Sequence, residues 1–216
     1  MDVAPSATSI PPVGTSCFVE PPLNLFLKTM SGYDRVRRQQ VIREAEGYLD
    51  LIMVFVDQWP PTSEARDRVA RRALATLDDA EVSGRDAAYT LYLKGQALRS
   101  MEQYGDALRA LRESADADPA NIHVWLALGW CYKRIGRLDL AIESLEEGLM
   151  VDAGVAIVHY NLACYWSLVN NSQHALHHLG VAFDIDSNYR DLVASESDFD
   201  PIRSDPDFRT ITSVIV

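Results

Sequence analysis

From residue 35 onward, apolar positions recur at i, i+3, i+4 and i+7, the spacing of helices with one buried face. The first two such runs are long. Residues 35–57 carry the stripe Val41, Tyr48, Leu51, Ile52 and Phe55, and residues 63–82 carry Val69, Ala73, Leu77 and Ala80. Trp59-Pro60-Pro61 separates them, and Thr62 or Ser63 is placed to cap the second. Beyond residue 88 the helices become shorter and come in pairs. Polar turns are expected at Gly105-Asp106, Gly136-Arg137 and Asn170-Asn171-Ser172, and Asp118-Pro119 closes a helix because proline cannot continue one. After residue 189, Asp198-Phe199-Asp200-Pro201-Ile202 and Asp205-Pro206-Asp207-Phe208 predict short helical turns, the second with Asp205 as N-cap and Pro206 in the first helical position. This tail is expected to close the stack by burying Phe199, Ile202 and Phe208. The other end differs: Pro5, Pro11, Pro12, Pro21 and Pro22 predict that residues 1–34 form an extended or disordered arm.

The paired helices repeat. Ala107, Ala141 and Ala175 stand 34 residues apart, as do Gly95, Gly129 and Ala163, then Leu111, Leu145 and Leu179, then Leu91, Trp125 and His159. A small residue in the first helix and another in the second let two backbones approach closely, and the large apolar residue fills the space beside them. This period, with its small residue at position 8, alanine at 20 and large apolar residue at 24, resembles the tetratricopeptide repeat (TPR). The copy closest to the pattern holds Trp125, Leu128, Gly129, Tyr132, Gly136, Ala141 and Leu145; the preceding one holds Gly95, Tyr104, Ala107, Leu111 and Pro119. The following one is looser, with Tyr160, Leu162, Ala163, Trp166, Ala175, Leu179 and Ala182.

The resemblance implies an all-α fold, a right-handed superhelix of antiparallel helix pairs. Its organisation is then a Pro-rich arm (1–34), a degenerate leading hairpin (35–87), three repeats (88–121, 122–155 and 156–189) and a C-terminal cap (190–216). It also implies a concave face lined by positions 2, 5, 9, 12 and 13 of each first helix. The candidate partner-binding residues there are Tyr89, Tyr92, Gln96 and Arg99; His123, Leu126, Trp130, Lys133 and Arg134; and Ile157, Tyr160 and Cys164. Tyrosine, tryptophan and arginine are enriched at binding hot spots, so the expected ligand is a protein or peptide with apolar anchors and an acidic group. The family's two-carboxylate clamp for chaperone tails is not expected, because its places hold Tyr92, Gln96, Ala127, Ile157 and Asn161. The apolar stretch Pro21-Pro22-Leu23-Asn24-Leu25-Phe26-Leu27 is a candidate occupant of the same groove, in the same chain or through self-association.

Composition narrows the function classes. With 20 Lys+Arg against 31 Asp+Glu the chain carries a formal charge of −11, which argues against duplex nucleic acid or an anionic membrane as partner. The longest apolar run, Leu49–Val56, is short and interrupted by Asp50. Cys17, Cys131 and Cys164 form neither a disulfide framework nor a zinc motif, and residues 1–20 lack a signal-peptide pattern, so a cytoplasmic protein is expected. Phosphate-loop, nucleophile-elbow and kinase motifs are absent from the sequence. No catalytic residue, metal or cofactor is therefore assigned. His174 and His178 share a helical face with His177 beside them, a spacing that can grip a metal, but no nearby carboxylate or cysteine in sequence closes a site. The main reading is a non-catalytic adaptor. The alternatives are a secretion-type chaperone holding a hydrophobic client and, behind it, a metal- or thiol-dependent enzyme centred on Cys164 near His123 and His159.

Overall fold

The computed structural model describes residues 23–54, 62–78 and 85–213. Contacts divide the chain into Met1–Arg37 and Arg38–Val216. The described part of the first unit is helical. Helix α1 begins at Leu23 and ends at Val54, so the helix expected from residue 35 starts twelve residues earlier and takes up the last third of the expected arm. Residues 1–22, with the first five prolines, and 55–61 lie outside the described residues. Helix α2 runs Ser63–Asp78, and Thr62 is its cap: Ala65 N–H donates to Thr62 Oγ1 at 3.3 Å. Within the second unit, Ile42, Ala45 and Ile52 of α1 pack with Ala70, Ala73 and Leu77 of α2 and with Leu93 and Ala97 of the next helix.

Three antiparallel pairs follow: α3 (Arg85–Ser100) with α4 (Tyr104–Ala117), α5 (Ile122–Arg134) with α6 (Leu138–Val151), and α7 (Ala156–Leu168) with α8 (Ser172–Ile185). One core runs through them. Ala107, Ala141 and Ala175 are all fully buried, as are Leu111, Leu145 and Leu179. The small-residue column explains itself in distances. A Cβ on Gly95 would sit 2.6 Å from Leu111 Cγ, and one on Gly129 3.0 Å from Leu145 Cγ. The third copy accommodates Ala163 at this place, buried against the same core. Gly95→Val is therefore expected to lower stability by about 1–3 kcal/mol through overpacking. A urea titration followed by helical signal measures it, and an unchanged midpoint would mean that α3 and α4 separate without cost.

The turn inside each pair also keeps the period. Glu102, Gly136 and Asn170, each 34 residues apart, have φ of 62°, 76° and 59°. The first turn thus lies at Glu102, ahead of the expected Gly105, which is already inside α4. Asparagine caps begin later helices: Asn121 Oδ1 accepts from His123 N–H at 3.1 Å, and Asn171 Oδ1 from His174 N–H at 3.2 Å. The chain closes with α9 (Tyr189–Val193), a 3-10 helix (Ser197–Ile202) and α10 (Pro206–Thr212), capped by Asp205 with Pro206 in the first turn. The 3-10 helix packs on α7 and α10 on α8. Phe199, Ile202 and Phe208 are buried there. No helix among the described residues is long and apolar enough to cross a membrane. The structure is that of an all-α helix-pair solenoid.

Candidate functional site

Helices α3, α5 and α7 carry the residues singled out from the sequence, and their side chains form three environments along the chain. In the first repeat, Tyr89 and Tyr92 stack with ring centroids 5.8 Å apart. The Tyr89 hydroxyl donates to Glu46 Oε1 at 2.6 Å. Burial first, then this carboxylate, pushes the Tyr89 pKa well above the ordinary phenol value, so the hydroxyl stays a donor. These residues line a cleft of about 350 Å³ with Leu93, Gln96, Arg99 and Ser100 on one side and Glu46, Leu49, Asp50, Ile52 and Met53 of α1 on the other.

In the second environment a tryptophan is held by cations. Arg99 lies over the Trp130 ring at 4.9 Å from its centroid and Arg134 at 5.6 Å, while Tyr104 meets the ring edge-on at 5.7 Å. Arg134 Nε also donates to the Tyr104 hydroxyl at 3.3 Å. Arg99 is only partly exposed, and among the described residues it makes no ion pair. Burial lowers its pKa, while the polar groups of Cys131, Tyr92, Tyr165 and Tyr104 favour its charge. Leu126 packs against the core beside Trp130, and His123 is exposed at the start of α5.

The third environment is occupied by the chain itself. Lys133 donates to Asp198 of the 3-10 helix, a pair whose side chains are 28 % and 12 % exposed. Phe199 is fully buried and stands edge-on to Tyr160 at 5.7 Å, with Tyr189 4.9 Å from Tyr160 and Phe208 5.5 Å from Phe199. Tyr160 and Cys164, expected to face a partner, are consequently 5 % and 2 % exposed and touch the tail instead. Lys133, expected to meet a partner's acid, meets Asp198. Ile157, at 41 %, remains open. The sequence showed the Asp-Phe pairs and their burial, but nothing in it tied Asp198 to Lys133.

The two described thiols, Cys131 and Cys164, have the wrong character for a nucleophile. Burial raises Cys131 to about 11, and burial with the charges of Asp198 and Glu196 pushes Cys164 higher still. Both ring nitrogens of His159 are engaged away from Cys164: Nδ1 with His178 Nδ1 at 3.0 Å and Nε2 with the Ala153 carbonyl at 3.0 Å. Donor atoms of Cys164, Glu196 and Asp198 do converge within 4.8 Å. Within that group Lys133 pairs with Asp198, and Glu196 caps the 3-10 helix by accepting from Asp198 N–H at 3.1 Å. The arrangement is an ion pair with a buried neutral thiol beside it.

The histidines of the third pair are brought together across α7 and α8 rather than along one helical face. His174 stacks on Trp166 at 4.7 Å and its Nδ1 meets Asn171 Oδ1 at 3.0 Å. The Ala153 carbonyl requires the proton on His159 Nε2, so His178 Nδ1–H donates to His159 Nδ1. Burial, then His159, His177 and His174, lower the His178 pKa from 6.5 to about 4. The unfolded chain therefore takes up this proton first as pH falls, and stability is lost between pH 6.5 and about 4. His178→Gln is expected to flatten the fall in Tm over that window. Parallel Tm–pH profiles for the two proteins would show that His178 is not titrating there.

Comparison with known proteins agrees with the repeat geometry. The tetratricopeptide repeat family profile matches residues 98–162. Protein bimA of Emericella nidulans is 30 % identical over 71 residues, a match covering 33 % of this chain and 9 % of that protein. The chain thus spans only a small part of the length of this curated relative. Among solved structures, MamA superposes with a TM-score of 0.53 at 16 % identity, covering 80 % of this chain and 99 % of that one. YrrB, described as a TPR protein with an unusual peptide-binding site, superposes with a TM-score of 0.50 at 21 % identity, covering 80 % of this chain and 84 % of that one. Period, helix pairing, the glycine–leucine contacts and these likenesses agree on the tetratricopeptide repeat fold, with the family match itself lying at residues 98–162.

Proposed function

We propose that this protein is a non-catalytic adaptor that captures a segment of a partner protein on the face formed by α3 and α5. The observation that carries this reading is the Trp130 ring stacked under Arg99 and Arg134 next to a cleft lined by Tyr89, Tyr92 and Gln96. Aromatic rings and guanidinium groups held in place by one another offer large contact area with little rotamer entropy to lose on binding. Leu126 adds an apolar anchor point, and His123, Arg134 and Ile157 are placed at the rim. Lys133, Tyr160 and Cys164 belong to this face but serve the C-terminal segment. The described peptide-binding site of YrrB, a protein of the same fold, supports a peptide-sized ligand. The partly buried Arg99, which makes no ion pair among the described residues, favours a ligand that brings a carboxylate.

Affinity capture from native lysate with wild type and Trp130→Ala, read by mass spectrometry, tests the proposal. A protein retained by wild type and lost by the variant supports it. Identical lists from two equally helical proteins would overturn it and move the working surface away from α3 and α5.

A further inference from the structure

The 34-residue period relates the occupied part of the face to an unoccupied part. Lys133 is the repeat equivalent of Arg99, Tyr160 that of Leu126, and Cys164 that of Trp130. At the later step the cation receives Asp198 and the position-5 residue of the following repeat receives the Phe199 ring. One step earlier the same layout recurs with a stronger carboxylate receptor: a guanidinium in place of an ammonium, fixed over Trp130 at 4.9 Å, with Leu126 in the place of Tyr160. Among the described residues no carboxylate fills it. Of the two acids that line the adjoining cleft, Glu46 is held by the Tyr89 hydroxyl and Asp50 is exposed and makes no ion pair with Arg99. The chain's own tail therefore displays the ligand chemistry that this scaffold accepts, and the preceding copy of the site lacks its acid.

We infer that Arg99, Leu126 and Trp130 form a second acid–aromatic receptor, which takes an Asp-Phe-like element of a partner segment in the way that Lys133 and Tyr160 take Asp198 and Phe199. The inference rests on the adaptor reading and names the ligand's chemistry: a carboxylate followed directly by an aromatic ring, in a tight turn. The carboxylate pairs with Arg99, and the ring packs against Leu126 and Trp130. A partner that carries this element binds without displacing the C-terminal cap, because the two receptors lie one repeat apart.

The probe is a fluorescein-labelled peptide copying Glu196–Arg203 (ESDFDPIR), titrated with the full chain and read by anisotropy. Binding by wild type is expected to weaken about tenfold or more with Arg99→Gln and to survive Arg99→Lys in part, as a charge-assisted contact requires. Peptides carrying Asp198→Asn or Phe199→Ala should lose binding similarly, which keeps the test sound even if a protein variant folds poorly. Equal binding by wild type and Arg99→Gln would overturn the inference, as would no binding at millimolar peptide. Loss with Lys133→Gln instead would mean that the peptide replaces the chain's own tail. A concentration-dependent dimer abolished by Arg99→Gln would make a second copy the occupant, against the inference. In each of these outcomes, the capture difference between wild type and Trp130→Ala still decides the adaptor reading separately.

Discussion

Phe199→Ala is expected to lower the unfolding free energy by roughly 3–5 kcal/mol, the cost of truncating a fully buried phenylalanine to leave a cavity. The ring is packed by Tyr160 on one helix of the last repeat and by Phe208 of α10, which itself rests on α8 with its neighbours. Its removal loosens the contact between the tail and both helices of the third pair at once. The adjacent Lys133–Asp198 pair adds to this dependence, because a half-buried ion pair that loses its geometry leaves two poorly solvated charges. A urea titration followed by helical signal measures the loss. Limited proteolysis then locates it, since cleavage within 190–213 at low urea would mean that the cap detaches while the repeats persist. A loss under about 1 kcal/mol with an intact cap would show that Phe199 is replaceable and that the tail is held elsewhere.

The repeat body was legible because a close helix–helix approach leaves a mark on single residues. Gly95 and Gly129 stand where a Cβ would strike Leu111 and Leu145, so the glycine and leucine columns report one contact from both sides. The beginning of α1 was less legible. Prolines end at Pro22, and a proline-rich composition averaged over residues 1–34 obscures a helix that starts directly after the last of them. The first intra-repeat turn was misplaced for a related reason: Gly105 offers the usual left-handed residue, but the fold puts Glu102 there at φ 62°, in register with Gly136 and Asn170. The candidate face was drawn from position in the repeat, which puts its residues on α3, α5 and α7. Its division into an open part and a part filled by the tail depends on Lys133 meeting Asp198 across 65 residues, and local pattern does not encode such a meeting. The pairing of His159 with His178 likewise joins two helices whose individual faces gave no sign of it.

Trp130→Ala is expected to weaken partner capture by about 2–4 kcal/mol, a loss of thirtyfold or more, while costing the fold less than truncation of a fully buried ring. On the adaptor reading the ring has two jobs. It offers an apolar face at the open part of the site, and it holds the guanidinium groups of Arg99 and Arg134 in place through contacts at 4.9 and 5.6 Å. Alanine removes the anchor and frees both arginines, so the partner loses a contact and a preorganised cation together. Trp130→Phe separates the two effects, since it retains a ring for the cations but a smaller one for the partner. The expected order of affinity is wild type, then phenylalanine, then alanine, measured by titration of the captured partner at matched helical content. If phenylalanine is as damaging as alanine, the indole itself is the recognised surface. Equal affinity for all three proteins would show that Trp130 only packs against the repeats.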